Sequence, residues 1–137
     1  MRSILCALAA AALLALAIPA AAGADVCANR LCTKYEQGTE SCWNRSGRAA
    51  ISRCFIYRAA KHYGQSTRLA LQIAHRESRL NWRVTNSSSG AAGLYQFMPR
   101  TWQYTPYRRH SPYHPKWASL AAMWMWKRGM YSHWSTM

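Results

Sequence analysis

The chain has 137 residues, of which 18 are Lys or Arg and only 4 are Asp or Glu, and its formal net charge at pH 7 is +14. This length provides one hydrophobic core and excludes a second domain of ordinary size. Half of the residues are hydrophobic, with seven Trp and eight Tyr, which excludes a disordered polyelectrolyte. The basic charge predicts an anionic partner but does not distinguish nucleic acid, acidic lipid and an anionic cell wall.

Residues 1–24 have the pattern of a secretory signal peptide. A basic start precedes an apolar run over 4–18, which ends at a proline and a stretch of small residues over 20–24. The alternative is a membrane anchor, but a spanning helix needs about 20 apolar residues. The sequence therefore predicts a secreted protein, cleaved after Ala22 or Ala24, without stable membrane insertion. Export also argues against nucleic acid as the working partner.

Four cysteines follow the predicted signal peptide: Cys27, Cys32, Cys42 and Cys54. An even number of cysteines in a short exported chain predicts two disulfides, for which three pairings are possible. A zinc site is the alternative, but the spacing C-x4-C-x9-C-x11-C matches no common zinc pattern. We therefore expect residues 25–45 to form an irregular arm pinned by disulfides, with no metal and no cofactor.

From residue 46 onward the spacing of apolar residues is helical. Caps, prolines and glycines predict four helices: Ser46 to Gly64, Thr67 to Leu80, one that begins at Pro99, and Pro115 to Arg128 before Gly129. Residues 83–90 are polar and predict an irregular loop or a short hairpin, and no segment alternates like a strand of a larger sheet. The predicted fold is mainly α, with one domain over residues 46–137.

Glu77 is the only acidic residue after the cysteine arm. On a helix it lies beside the apolar row that ends at Leu80, at the edge of the buried face. Because burial disfavours the charged form of a carboxyl group, this position suits a general acid. The alternative is a surface Glu paired with Arg76 or Arg79, and helix geometry alone does not decide between the two.

The residues around Glu77 form an ordered series of short motifs. They are E-S-R-L-N from Glu77, a serine-containing loop, G-A-A-G-L-Y-Q over 90–96, and P-R-T from Pro99. This series resembles the catalytic core of the soluble lytic transglycosylase (SLT) family, within the lysozyme-like superfamily. The pattern of that family is E-S-x-x-N, a loop with a Ser, G-A-x-G-L-M-Q and P-x-T. The resemblance spans residues 64–102.

The resemblance implies a lysozyme-like fold and an enzyme that cleaves the glycan strands of peptidoglycan. It also implies that Glu77 is the catalytic acid and base. The residues that it places against the sugar are Ser78, Ser87 (or Ser88), Gly93, Leu94, Tyr95 and Gln96, with 93–95 acting through their backbone.

The chain departs from the family pattern at two aromatic positions. Tyr95 replaces the usual Met, and the downstream A-Y-N-A-G segment, whose Tyr lies near the catalytic Glu in the family, is absent. Tyr104, Tyr107 and Trp126 are candidates to replace that Tyr, and we include Tyr104 among the predicted substrate-binding residues. The last helix is similar to short, actinobacterial-type members instead.

The other aromatic residues form two groups. Helical spacing assigns part of the last helix to the core: Trp117, Leu120, Ala121 and Trp124. Rings in or beside loops either line a sugar cleft or pack on the surface: Trp82, Trp102, Tyr104, Tyr107 and Tyr113. The histidines lack metal spacing, and we interpret them as structural or surface groups.

The number of acids favours one of two reactions. Most glycosidases use two carboxylates, but here the others are Asp25, Glu36 and Glu40, all in the arm. A single carboxyl is sufficient if the C6 hydroxyl of muramic acid is the nucleophile, which predicts a lytic transglycosylase. The alternatives are a hydrolytic lysozyme, a silent wall-binding module and a cationic membrane-active protein. We expect a monomer that acts on peptidoglycan, with anionic wall polymers as a further partner.

Overall fold

The computed structural model describes residues 40–134, and within them the chain is helical. This part contains four α-helices and two short 3-10 turns, which confirms the mainly α prediction. The helices are α1 (Arg48–Tyr63), α2 (Thr67–Ser78), α3 (Pro99–Tyr104) and α4 (Pro115–Lys127), and the turns are Glu40–Cys42 and Tyr131–Trp134. The predicted signal peptide, most of the predicted arm, and Cys27 and Cys32 lie outside the described residues.

Two helix starts differ from the prediction by one residue. The N-cap of α1 is Gly47 rather than Ser46, and it has no side chain that could accept a hydrogen bond. The N-cap of α2 is Ser66 rather than Thr67, because the Ser66 hydroxyl accepts a hydrogen bond from the Leu69 amide at 3.3 Å. Ser is among the best caps, which accounts for the start of α2, whereas nothing in the structure explains why α1 begins after Gly47 without a side-chain cap.

Helix α2 ends two residues earlier than predicted, at Ser78 rather than Leu80. Arg79 and Leu80 have φ angles of 51° and 62°. This is a left-handed backbone conformation that residues other than Gly rarely adopt. Their amides donate back to His75 O at 2.8 Å and Ala74 O at 3.4 Å, which closes the helix. The chain therefore turns immediately after Ser78, and Glu77 lies in the last turn of α2.

The core lies where α1 packs against α4 and α2. The side of α4 that faces the core is lined by alanines, with Ala118, Ala121 and Ala122 fully buried. Small residues allow two helix backbones to approach closely. Larger side chains, among them Ile56 and Ile73, fill the remaining space.

The predicted assignment of α4 residues to the core is correct for two of the four. Leu120 and Ala121 are buried, whereas Trp117 and Trp124 are only partly buried and pack against the edge of the core. Trp117 stacks on the His110 ring at 3.8 Å, and Trp124 lies under the Arg128 guanidinium at 4.0 Å. Their large rings cover the core and at the same time bind a surface cation or imidazole.

The segment between α2 and α3 contains the irregular loop predicted over residues 83–90, and its hairpin character extends beyond that range to Phe97. Isolated bridges join Thr85 to Ala92 and Ala92 to Phe97, and the Asn86 side chain accepts hydrogen bonds from two following amides. Gly93 has a φ of +76°, and a Cβ built there would lie 2.1 Å from the Pro112 carbonyl oxygen. This position therefore requires glycine, both for its conformation and for the close approach of the loop before α4.

A disulfide joins Cys42 to Cys54, with a Cα–Cα distance of 5.5 Å. It attaches the first 3-10 turn to the middle of α1 and confirms one of the predicted cysteine bridges. Beside it, Trp43 packs on Phe55 and Trp82 at centroid distances of 5.1 and 6.1 Å. Among residues 40–134, no helix is long and apolar enough to cross a membrane.

Candidate active site

Glu77 lies at the C-terminal end of α2 with its side chain partly accessible. The side chain is 23% exposed, in agreement with the predicted position at the edge of the buried face. Its Oε1 accepts two hydrogen bonds from Arg76, from Nε at 3.3 Å and from Nη2 at 3.1 Å. Within the described part of the chain, Oε2 makes no hydrogen bond. This oxygen is therefore available to exchange a proton with a bound ligand.

Arg76 is itself held by the C-terminal turn (Tyr131–Trp134). Its Nη2 donates to the Trp134 carbonyl oxygen at 2.8 Å, and the Trp134 indole donates to the Tyr95 carbonyl oxygen at 2.7 Å. The Trp134 ring also packs edge to face on Tyr95 and Phe97. A continuous series of contacts thus connects the Glu77 carboxylate with the backbone of the glycine-rich motif.

Ser78, which follows Glu77, connects the helix to the same motif. Its side chain is buried, and its hydroxyl lies 3.0 Å from Ala74 O and 2.8 Å from Leu94 O, with both oxygens as acceptors. The second bond crosses 16 residues of chain and fixes the end of α2 against the loop. In the structure the Ser78 hydroxyl is directed to these two carbonyl oxygens. Its predicted contact with substrate stays a prediction.

The G-A-A-G-L-Y-Q motif has buried side chains and a partly accessible end. Leu94 and Tyr95 are fully buried, and the Tyr95 hydroxyl donates to Ala70 O at 3.2 Å. If these two residues contact substrate, they do so through backbone atoms, which is the contact that the sequence analysis predicted for them. Tyr95 takes the place of Met because the core provides both an aromatic environment and a hydrogen-bond acceptor for it.

Gln96 is the half-buried polar residue of the motif. Its amide nitrogen donates to Gly93 O at 2.9 Å and to Val84 O at 3.2 Å. Its amide oxygen has no hydrogen-bond partner among residues 40–134 and can accept a bond from a sugar hydroxyl. Gln96, His133 and Trp134 are among the residues that line a small cavity of about 30 Å³.

Two of the loop aromatics are not where the sequence placed them. Trp82 and Trp102, expected to line a sugar cleft or to pack on the surface, are instead buried in the core.

The structure also places the remaining predicted substrate-binding residues. Ser87 and Ser88 are exposed on the loop over residues 85–90, and Tyr104 is 82% exposed at the end of α3. Tyr107 forms a hydroxyl–hydroxyl hydrogen bond with Tyr63. None of these residues makes a hydrogen bond to Glu77 within the described segment.

A comparison with family models assigns residues 54–131 to the transglycosylase SLT domain. The match covers more than half of the chain. The protein belongs to this family. Members of this family bind peptidoglycan and cleave the glycosidic bonds of its glycan strands. The domain is therefore of a type that binds peptidoglycan and cleaves glycosidic bonds. No curated protein and no solved structure showed significant similarity to the chain.

Family membership makes the absence of the A-Y-N-A-G segment a structural question. Trp126, one candidate for the missing Tyr, is buried and stacks on Tyr131 at 5.6 Å. Tyr131 in turn donates from its hydroxyl to Gln65 Oε1 at 2.7 Å. In this chain the element connected to Glu77 through Arg76 is therefore the C-terminal turn, rather than any of the three predicted aromatics.

Sequence reasoning missed the role of Trp134. The pairing of Glu77 with Arg76 was one of two alternatives for a surface Glu, and the structure selects it over Arg79. The contact of Arg76 with Trp134 joins residues 58 positions apart, and no local pattern encodes such a contact.

Proposed function

We propose that the protein is a secreted lytic transglycosylase that breaks the MurNAc–GlcNAc β-1,4 bond of peptidoglycan. Glu77 acts as the single general acid and base, and the product carries a 1,6-anhydro-MurNAc end. The observation that carries the proposal is the geometry of Glu77, with Oε1 held by Arg76 and Oε2 without a partner among the described residues.

Each step of the reaction uses a group that this chain or its substrate supplies. Protonated Glu77 gives its proton to the glycosidic oxygen as the bond to C1 of MurNAc breaks. The C6 hydroxyl of the same MurNAc then attacks C1, and the Glu77 carboxylate takes the hydroxyl proton. The carboxyl returns to its starting state, and water is not consumed.

The supply of acids supports this reaction over hydrolysis. Glu77 is the only Asp or Glu in the family-matched segment. A hydrolase commonly uses a second carboxylate to activate water, whereas the C6 hydroxyl is already tethered to the reacting ring. Tethering gives such a nucleophile an effective concentration far above that of a bimolecular competitor.

Mass spectrometry of digested peptidoglycan tests the proposal. We expect fragments that end in 1,6-anhydro-MurNAc, each one water lighter than the hydrolysis product. The Glu77→Gln protein is the matched control and should release neither. Predominantly reducing ends would make the protein a hydrolytic lysozyme on the same site, and no fragments at all would make it a non-catalytic wall-binding module.

A further inference from the structure

A basic pocket lies on the outer face of α1, on the side away from the core. It has a volume of about 550 Å³, which is within the range of roughly 300–1,000 Å³ typical of ligand sites, and it opens to solvent. Its lining residues are Arg45, Ala50, Arg53, Cys54, Tyr57 and Arg58. The buried residues of α1, such as Phe55 and Ile56, are on the other face.

Helix geometry explains why this surface is concave. Ala50 and Cys54 are four residues apart on α1 and therefore lie in one row along the helix. Both side chains are short, and the Cys54 sulfur is fixed in the bridge to Cys42. The longer side chains of Arg53 and Tyr57, also four residues apart, form the neighbouring row and rise beside this floor.

The charge of the pocket is not balanced within the described residues. None of the three guanidinium groups makes an ion pair with a side chain of residues 41–134, the described side chains. Only Arg58 makes a side-chain hydrogen bond, from Nη2 to the neutral Ser41 hydroxyl at 3.2 Å. Lys61 adds a further cation, with its Nζ 5.5 Å from the centroid of the Tyr57 ring. Like charges around one cavity repel each other, and a bound anion would relieve this cost.

We propose that this pocket binds a phosphodiester-linked polymer of the cell wall, a chain of phosphate groups joined by polyol or sugar units. A guanidinium group can donate two parallel hydrogen bonds to two oxygens of one phosphate group. The Tyr57 ring, 51% exposed, presents an apolar face to the carbon skeleton between two phosphates. Because the pocket is open to solvent, an inner stretch of a polymer can lie across it. Neither end of the polymer chain has to be buried.

The pocket is separate from the candidate active site. Glu77 is carried by α2, which packs against α1. The pocket lies on the exposed side of α1, and Arg45 joins it from the turn just before that helix. The proposed function supplies only the setting, the cell wall. Binding here would retain the enzyme on walls that carry the polymer while the catalytic carboxyl remains free to act on glycan strands.

The test is a cosedimentation assay with the mature protein in a Glu77→Gln background, so that cleavage does not alter the wall. The probes are purified walls that carry a glycerol-phosphate polymer and the same walls stripped of it by hydrofluoric acid. We expect the Arg45→Gln, Arg53→Gln, Arg58→Gln triple variant to bind polymer-bearing walls at least about tenfold more weakly. Binding of the triple variant and its parent to stripped walls should be equal.

A control variant with the same charge change separates a site from general attraction. Arg68→Gln, Arg109→Gln and Lys127→Gln remove three exposed cations outside the pocket, and this triple variant should lose less than about threefold in affinity. Soluble glycerol-phosphate polymer should compete with the wall, and inorganic phosphate at equal phosphate concentration should not.

Four outcomes would overturn the proposal. They are equal losses in the two triple variants, unchanged binding by the pocket variant, equal competition by inorganic phosphate, or a gain in affinity on Glu36→Gln, which would assign the pocket to the chain's own arm. Failure of the proposed function would appear elsewhere, as an absence of cleavage by the unsubstituted enzyme, and would leave this binding result intact.

Discussion

Arg76 Nη2 lies 2.8 Å from the carbonyl oxygen of Trp134, a residue 58 positions later in the chain. The same nitrogen lies 3.1 Å from Glu77 Oε1, so one guanidinium group connects the C-terminal turn to the carboxylate. A side chain held at two points loses the freedom to swing into solvent. We infer that Arg76 positions the carboxylate and leaves Oε2 directed to the ligand.

Arg76→Gln should therefore lower kcat about tenfold, since small misplacements of a reacting group are costly, with little change in KM. Arg76→Lys should restore part of the loss. Arg79→Gln is the matched control, because Arg79 is an exposed cation two residues from Glu77 that makes no side-chain hydrogen bond to it. Steady-state kinetics on soluble peptidoglycan fragments measure the effect. Equal kcat values for the Arg76 and Arg79 variants would contradict a positioning role.

Glu77→Gln should abolish wall cleavage while the fold is retained. Removing a general acid costs roughly 10²- to 10⁴-fold in rate, and the family-matched segment contains no other carboxyl. Zymography and turbidity assays measure the rate, and circular dichroism checks the fold. Glu40→Gln is the control and should stay active. If Glu77→Gln kept more than about half of the activity, another residue would have to be the acid.

Ser78→Ala should destabilise the protein by about 1–3 kcal/mol, because it leaves the buried Leu94 carbonyl without its donor. Ser87→Ala, an identical change on the exposed loop, should stay within about 0.5 kcal/mol of the parent. Urea denaturation measures both free energies of unfolding. Similar urea midpoints for the two variants would show that the Ser78 hydroxyl does not stabilise the fold through its bond to Leu94.

Gly93→Ala and Gly129→Ala form a pair that separates backbone strain from steric exclusion. Both glycines have a φ of +76°, but a Cβ at Gly129 meets nothing within 4 Å, whereas at Gly93 it meets the Pro112 backbone. Gly129→Ala should cost about 1 kcal/mol from conformation alone, and Gly93→Ala should cost at least about 3 kcal/mol. Thermal unfolding measures both, and equal losses would refute the close approach.

The mature protein should contain two disulfides and no free thiol. Peptide mapping under non-reducing conditions should recover Cys42 linked to Cys54, which leaves Cys27 and Cys32 to pair with each other. Each bridge should contribute about 2–4 kcal/mol to the free energy of unfolding. A thiol assay on denatured, unreduced protein checks the count. Two reactive thiols would mean that the second bridge does not form.

Local signals predicted most of the fold. Gly64 has the left-handed conformation expected of a helix stop, and Pro99 and Pro115 are at the starts of α3 and α4. Each of these residues acts through its own backbone preference, which is independent of distant contacts. The early end of α2 was missed because Arg79 and Leu80 have no intrinsic preference for the left-handed region that they adopt.

The sequence predicted the chemical groups of the candidate site, but it did not predict the contacts that hold those groups in place. Glu77 stood out because it is the single acid in a motif series, and Gln96 followed from the same series. The supporting contacts are longer in range: the neighbours of Glu77, Arg76 and Ser78, bond to the carbonyl oxygens of Trp134 and Leu94. Gln96 bonds to the carbonyl oxygen of Val84. Such contacts depend on how distant segments meet, and hydrophobic periodicity carries no information about the meeting point.

The family-matched segment, residues 54–131, is shorter than the unit that folds. A fragment cut at those limits would divide α1, which begins at Arg48, and would remove Cys42, the partner of Cys54. It would also remove Trp134, whose carbonyl holds Arg76 and whose indole holds the Tyr95 backbone. A domain boundary for expression, grafting or fusion must therefore include at least residues 42–134.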